Sequence, residues 1–415
     1  MPIIASTTSL SLGFVSNQNE HVHNKYSMQH GRIPLNGSNK RYSATILQST
    51  TASTSSIVRE EIRYIAGRRA LLLHPSLPPS LTTTSSDEPN NAFPCHAKHP
   101  PLVVLGGMAQ SITNWEFHLS YLAQHRSVLM YEPLGQGPPP PPENIVSTLD
   151  QYYSDVSLQR QGEDFWKVVD EAFFTPGSHY YEQHSLNCGD ALQPTIDVAS
   201  FSFGGRVSLA AATLQSHRIR RLHLTGVGAE RDALANVHIA CWKDLLSTDN
   251  DTVEDNTNHS SSNSSSRLRS FAWSIILATY SDQFLASAGS ERIKAWVESV
   301  CQNNTEEGLR AILSQAHESS GTNTDHHSWT PAAMAERIQT SKSIPKCRIL
   351  VGSKDTIAHP SQAIRLAEML HVSDDQVDAN INNDDTYKVV DGCGHSVPME
   401  AMRVWREDVL QFLNG

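Results

Sequence analysis

The 415-residue sequence predicts an α/β architecture: a mostly parallel sheet with helices on both faces and a helical insertion over one edge. Three observations predict it. Short apolar runs recur along the chain, separated by segments with helical spacing of apolar residues. Several of these runs are continuous rather than alternating, as in strands covered on both faces. From about 229 to 343 the strand rhythm stops, and helical patterns such as RSFAWSIILATYSDQFLASA replace it.

Taken in order, EIRYIAGRRALLLHP (61–75) reads as two short strands around Ala66-Gly67. PPLVVLGG (100–107) is a buried strand ending in glycine, and SVLMYEPLGQG (127–137) is another. The PPPPPE that follows must leave the sheet, because proline cannot donate to a ladder. DFWKVVDEAFF (164–174) has helical spacing. TIDVA (195–199), IRRLHLTGVG (219–228), CRILVG (347–352) and TYKVVDG (386–392) supply four more strands, and an amphipathic helix closes the chain.

Composition excludes several classes. Lys plus Arg number 32 against 43 Asp plus Glu, and this net charge of -11 lacks the electrostatic footprint of a nucleic-acid binder. No apolar run approaches the roughly 20 residues that span a bilayer. Cys95, Cys188, Cys241, Cys301, Cys347 and Cys393 are scattered without a Cys-x-x-Cys pair, which reads as free thiols in a reducing compartment. His238, His326 and His327 lack metal-site spacing with a third ligand, so neither a metal nor an organic cofactor is expected.

The low hydrophobic content, 39%, is explained by three polar segments. Residues 1–57 form a leader rich in Ser, Thr and Asn, with one acidic residue, Glu20, against Lys25, Arg32, Lys40 and Arg41. That composition suits either a disordered tail or an organelle transit peptide, and thus either the cytoplasm or a plastid or mitochondrion. Residues 75–94 read as an inserted surface loop, and 247–266 as a low-complexity disordered insert. The folded domain is then 58–415, with a helical cap at about 229–343.

The chemistry is concentrated at DVASFSFGGRVSLAAA (197–212), where a strand-like stretch meets a helix-like one. A nucleophilic serine needs its hydroxyl thrust out at the C-terminal edge of a sheet, and a sharp strand-to-helix turn does this. Its strained backbone demands small residues two before and two after the nucleophile. Ser202 satisfies the spacing, with Ser200 and Gly204 at the small positions and Gly205 next in line. Ser200 fits less well as nucleophile, because no glycine follows it at once. A plain Ser/Gly turn is the alternative.

The required partners reduce that alternative. A serine hydroxyl needs a histidine base, itself held by a carboxylate. Asp355 follows the 347–352 strand in GSKD, and His395 follows the last strand in DGCGHS. Asp232, after the 219–228 strand, is the second candidate for the acid. LGGMAQS (105–111) offers a glycine-rich loop with free amides, where the backbone N–H groups of Met108 and Phe203 are placed to form an oxyanion hole.

VVLGGMAQS, YEPLGQG, ASFSFGG, GSKD and DGCGHS, with the order Ser202, Asp355, His395, make the chain from about 58 to 415 resemble the α/β-hydrolase superfamily, in its esterase-like, lactonase-like and epoxide-hydrolase-like branch. There are three departures: Gly106-Gly107 where His-Gly is frequent, Glu132, Leu134 and Gln136 where Asp, Arg and His are frequent, and Ser200 for glycine. The resemblance implies a serine hydrolase acting on a small-molecule acyl substrate, an ester, thioester or lactone, through an acyl-enzyme. A serine nucleophile excludes the reactions this superfamily runs with an aspartate at that turn. A non-hydrolytic lyase or a ligand-binding protein on the same scaffold is the other reading. The aromatics Trp242, Phe271, Trp273, Tyr280 and Trp296 either line the pocket or pack the cap, and Ala278 and Ala288 are candidates for setting acyl length.

Overall fold

A computed structural model of the chain describes residues 57–75, 99–124, 126–138, 149–182, 195–247, 260–316, 329–371 and 386–415. The leader to residue 56, most of the 75–94 loop and residues 248–259 of the polar insert lie outside the described residues.

Among the described residues nine strands form one sheet: β1 (Ile57–Arg59), β2 (Arg63–Ile65), β3 (Arg68–Pro75), β4 (Leu102–Leu105), β5 (Val128–Tyr131), β6 (Ile196–Phe201), β7 (Ile219–Thr225), β8 (Lys346–Gly352) and β9 (Tyr387–Val390). The order is β1-β3-β5-β4-β6-β7-β8-β9, with β2 paired to β3. β1, β2 and β5 each pair antiparallel to β3, and the five pairings from β5 to β9 are parallel. The β2–β3 hairpin turns at Ala66 (φ 47°) and Gly67 (φ 77°), the two positive φ values that match a tight turn to the strand twist. β1 is the one strand the sequence pattern missed, being three residues long and mostly exposed.

The sheet is covered on both faces, as its continuous apolar runs require. Side chains alternate along each strand. Leu71, Leu73, Val104 and Met130 face Trp115 of helix α1 (Ile112–Leu122) and Trp405 of α13 (Met402–Asn414), whose rings meet edge-on at 5.4 Å. Leu72, Val103, Leu129 and Val198 belong to the opposite core, with α3 (Leu158–Val169), α4 (Phe203–Gln215) and α11 (Pro360–Leu370). α3 runs on in wide π turns over Asp170–Phe174. Two short helices, α2 (Leu149–Tyr152) and α12 (Val397–Glu400), complete the frame.

Between β7 and β8 the described chain holds no strand, as the sequence predicts. It holds α5 (Ala233–Leu245), α6 (Ser260–Thr279), α7 (Asp282–Ala288), α8 (Ser290–Asn303), α9 (Glu306–Ala311) with π turns over Ile312–Ala316, and α10 (Pro331–Gln339). Asp232, Ser281, Thr305 and Thr330 cap α5, α7, α9 and α10 by accepting backbone N–H groups. Two boundaries differ from the sequence reading. α6 starts at Ser260, inside the polar run that extends to 266. α10 packs on α4 and α11, so it is the crossover helix between the parallel strands β7 and β8 rather than part of the insertion. No described helix is long and apolar enough to cross a membrane.

Candidate active site

Chain direction reverses between β4 and β6: the connection runs outward from β4 to β5 and then back across to β6. Such a switch point opens a crevice at the carboxyl ends of the strands. Residues 106–110 after β4 and Ser202 after β6 border it.

Ser202 has φ 53° and ψ −116°, a conformation that costs a non-glycine residue about 1–3 kcal/mol. Several contacts hold it there. Its N–H donates to Thr225 O at 2.8 Å, and its carbonyl accepts from Gly205 and Arg206 at 3.0 and 3.2 Å. The N–H of Gly204 donates to Gly106 O at 3.1 Å. A Cβ on Gly204 would lie 2.5 Å from that carbonyl, and one on Gly205 would strike Val227, so both glycines are required by space. Ser200 is fully buried beneath the turn, and its hydroxyl points to His223 O at 3.5 Å. Serine in place of glycine is accommodated there without reaching the crevice.

His395 and Asp355 converge on Ser202 from two neighbouring strand ends. Lys354 N–H donates to Cys393 O, and Ser353 N–H to Val390 O, stitching the loop after β8 to the loop after β9. A Cβ on Gly352 would collide with the carbonyls of Cys393 and Gly394. Asp355 Oδ2 lies 2.8 Å from His395 Nδ1, and His395 Nε2 lies 2.8 Å from Ser202 Oγ. The other oxygen of Asp355 accepts the N–H groups of Ile357 and Ala358, both at 2.8 Å. A carboxylate that only accepts places the imidazole hydrogen on Nδ1, leaving the Nε2 lone pair to face the Ser202 hydroxyl. Asp355 and His395 are both buried. Asp232 is not part of this relay; it caps α5 through Ala235 N–H.

Met108, Ala109 and Gln110 of the loop after β4 line the cavity beside Ser202. Ala109 has φ 62°, and its carbonyl accepts from Asn304 Nδ2 at 3.2 Å. Gln110 Oε1 accepts from Gly107 N–H at 2.8 Å and Trp115 Nε1 at 3.0 Å, which fixes the glycine loop from inside. Met108 and Phe203 border the same cavity as Ser202. Glu132, at one of the departures from the usual pattern, accepts from Ile112 N–H at 2.9 Å at the start of α1 and from Arg69 at 2.7 Å. Burial raises its pKa even so, and Arg69 opposes the shift.

The cavity holds about 770 Å³, and residues of α5, α6, α7 and α8 form part of its lining. Of the five aromatics, Trp242, Tyr280 and Trp296 line it; Phe271 and Trp273 pack the core instead. Tyr280, Phe284 and Trp296 form a stack with ring centroids 5.2–5.9 Å apart. Neither Ala278 nor Ala288 reaches the cavity; Ile275 and Ile276 do. Burial pushes the Tyr280 hydroxyl up to about 12. Arg206 and Arg231 also line this space. Burial, reinforced by the like charge of Arg231, holds Arg206 well below the usual arginine range, and burial lowers Arg231 to about 10.

Sequence reading did not find Gln110, Asn304, Glu400, Arg206 or Arg231. Glu400 accepts from Gly394 N–H at 3.0 Å and from the Ser281 N–H and hydroxyl, so it ties the His395 loop to the start of α7. The four described cysteines, Cys241, Cys301, Cys347 and Cys393, are free thiols. Burial raises Cys347 to about 12 and Cys393 to about 11.

No protein-family model and no curated protein sequence matches the chain. Solved structures do match it in fold. The enol-lactonase from Burkholderia xenovorans superimposes with a TM-score of 0.51 at 15% identity, over 77% of this chain and 93% of that one. The 2-hydroxy-6-oxo-6-phenylhexa-2,4-dienoate hydrolase from a Rhodococcus species gives 0.52 at 14% identity, over 87% of this chain and all of that one. The chain has the α/β-hydrolase fold.

Proposed function

We propose that the protein is a serine hydrolase that cleaves a small carboxylic ester, thioester or lactone through Ser202, His395 and Asp355. The observation that carries this reading is the unbroken relay from Asp355 Oδ2 through His395 to Ser202 Oγ, at 2.8 and 2.8 Å, opening on a cavity of about 770 Å³.

In this reading Ser202 Oγ attacks the acyl carbon while His395 Nε2 takes its proton, and Asp355 stabilises the imidazolium so formed. The tetrahedral oxyanion is held by the backbone N–H groups of Met108 and Phe203. Its collapse breaks the bond to the leaving group, which departs with the proton from His395. Water then gives a proton to His395 and attacks the acyl-enzyme. The bond to Oγ breaks, Ser202 recovers its proton, and the free acid leaves. The fixed loop at 106–110 supports the oxyanion assignment, because preorganised donors need no reorientation during reaction.

The test is covalent. A fluorophosphonate probe should label the protein at Ser202, located by mass spectrometry of the digested adduct, and p-nitrophenyl acetate or butyrate should be turned over. Labelling at another serine, or no labelling and no turnover, would remove the assignment.

A further inference from the structure

α6 ends at Thr279, and the last carbonyls of a helix have no partner within it. The loops that carry the relay satisfy two of them. Ser396 N–H donates to Thr279 O at 2.9 Å, and Thr356 Oγ1 donates to Ala278 O at 3.3 Å. Ser396 follows His395 directly, and Thr356 follows Asp355. The residue before His395 meets the same stretch of chain. A Cβ on Gly394 would lie 2.7 Å from Ser281 N and 2.9 Å from the carbonyl carbon of Tyr280, so the loop cannot stand off. Glu400 closes the contact. One of its oxygens accepts Gly394 N–H at 3.0 Å, and both accept Ser281 N–H at 3.2 Å. The second oxygen also accepts the Ser281 hydroxyl. A carboxylate accepts at both oxygens and donates nothing, which suits a junction that presents only donors to it. His395 is thus held on both sides by residues 278–281, while Ile275, Ile276, Thr279 and Tyr280 line the cavity. Glu400 itself does not border it.

We propose that Glu400 is a positioning residue: it holds His395 against the end of α6, so that a helix lining the cavity also fixes the imidazole before Ser202. This rests on the hydrolase reading above. His395 Nε2 must face the reacting oxygen in both the formation and the hydrolysis of the acyl-enzyme. A misplacement of about 1 Å in such a group costs about 10² in rate. Glu400 makes no contact with the cavity, so its loss should fall on kcat and leave KM nearly unchanged. Glutamine should replace it well. Its amide oxygen can accept Gly394 N–H, and its amide nitrogen can donate to the Ser281 hydroxyl oxygen.

The experiment compares Glu400→Ala, Glu400→Gln and the wild-type protein on p-nitrophenyl butyrate. Turnover is divided by the number of sites that a fluorophosphonate probe labels at completion, so misfolded protein does not enter kcat. Glu400→Ala should lower kcat by about tenfold or more with KM within about threefold, and Glu400→Gln should recover most of the loss. A smaller fall, an equal fall in both variants, or a loss that lies in KM overturns the proposal while leaving the hydrolase reading intact. Hydrogen exchange reads the same contact without turnover. Peptides covering 392–397 should exchange about tenfold faster in Glu400→Ala, at the wild-type rate in Glu400→Gln, and with β6 and β7 unchanged. If the wild-type protein hydrolyses no ester, that pattern still supports the hold on His395 although the hydrolase reading has failed. Unchanged exchange at 392–397, or acceleration spread equally over β6 and β7, overturns it. Should Glu400→Ala not fold, Ser281→Ala removes one donor from the same junction. It should lower kcat and speed exchange at 392–397 in the same sense, and no change in either overturns the proposal.

Discussion

The N–H of Gly204 donates to the carbonyl of Gly106 at 3.1 Å, so the first turn of α4 and the loop after β4 are joined directly under the candidate nucleophile. No side chain fits between them. A Cβ at position 204 would lie 2.5 Å from that carbonyl and 2.6 Å from Leu105 Cβ. Gly204→Ala should therefore destabilise the protein by about 1–3 kcal/mol through overpacking, and Gly204→Val by more. Thermal denaturation checks this. An unchanged Tm in both variants would show that the two loops separate at little cost.

Ser202→Ala should abolish probe labelling and ester turnover, whereas Ser200→Ala should keep most of both. Ser200 is fully buried beneath the turn and does not border the cavity; Ser202 does. Labelling of the Ser202 variant at full rate would move the nucleophile elsewhere.

Asp355→Asn should lower kcat by about 10³–10⁴ with a smaller effect on KM, since the amide would stabilise the wrong imidazole tautomer. The N–H groups of Ile357 and Ala358 can still find an amide oxygen, so the fold should survive. Circular dichroism and kcat measured on the same sample separate the two effects. A loss of less than tenfold would show that Asp355 does not carry the proposed role.

What could be read from the sequence divides along physical lines. Ser202, Asp355 and His395 stand out as candidates in the sequence because each follows an apolar strand in a turn with its own local demand for glycine or small residues. Their neighbours do not, because their roles are made by distant contacts. Asn304 reaches Ala109, Glu400 reaches Ser281, and Gln110 acts only once Trp115 is packed beside it. The polar pattern of α10 resembles the insertion helices, and only its packing on α4 and α11 assigns it to the sheet. Ala278 and Ala288 do not border the cavity, because the phase of an isolated helix is set by its partners and not by its own apolar pattern.

The C-terminal helix has its own pH dependence. Asp408 is buried in α13 and meets Arg348 at 2.8 and 2.7 Å, His223 at 3.0 Å and Lys388 at 3.3 Å. Burial raises its pKa, but hydrogen bonds and charge from Arg348 and His223 prevail and the net shift is downward. A depressed carboxyl stabilises the fold above its unfolded value of 3.8, and this contribution is lost as pH falls below that value towards the folded one. The wild-type Tm should therefore fall below about pH 4, where Asp408 takes up a proton on unfolding. Asp408→Asn should cost about 3 kcal/mol at pH 7 and flatten this acid limb. Parallel Tm-against-pH curves for the two proteins would show that Asp408 contributes nothing to it.

The insertion should decide which acyl groups fit, because the relay residues all sit at strand ends and α5, α6, α7 and α8 supply much of the cavity wall. Two adjacent residues of α6 test this by helix phase. Ile276 is 4% exposed and borders the cavity, while Leu277 is 55% exposed and does not. Successive positions on a helix point about 100° apart, so the two substitutions share backbone context and differ in direction. Ile276→Trp places a larger ring where the acyl chain would run. It should shift the preference in a series of esters from acetate to laurate towards shorter chains, by tenfold or more in the ratio of kcat/KM for octanoate to that for acetate. Leu277→Trp should leave that ratio within twofold, since the new ring meets solvent. If both variants shift the preference equally, or only Leu277→Trp does, acyl length is read somewhere other than beneath α6.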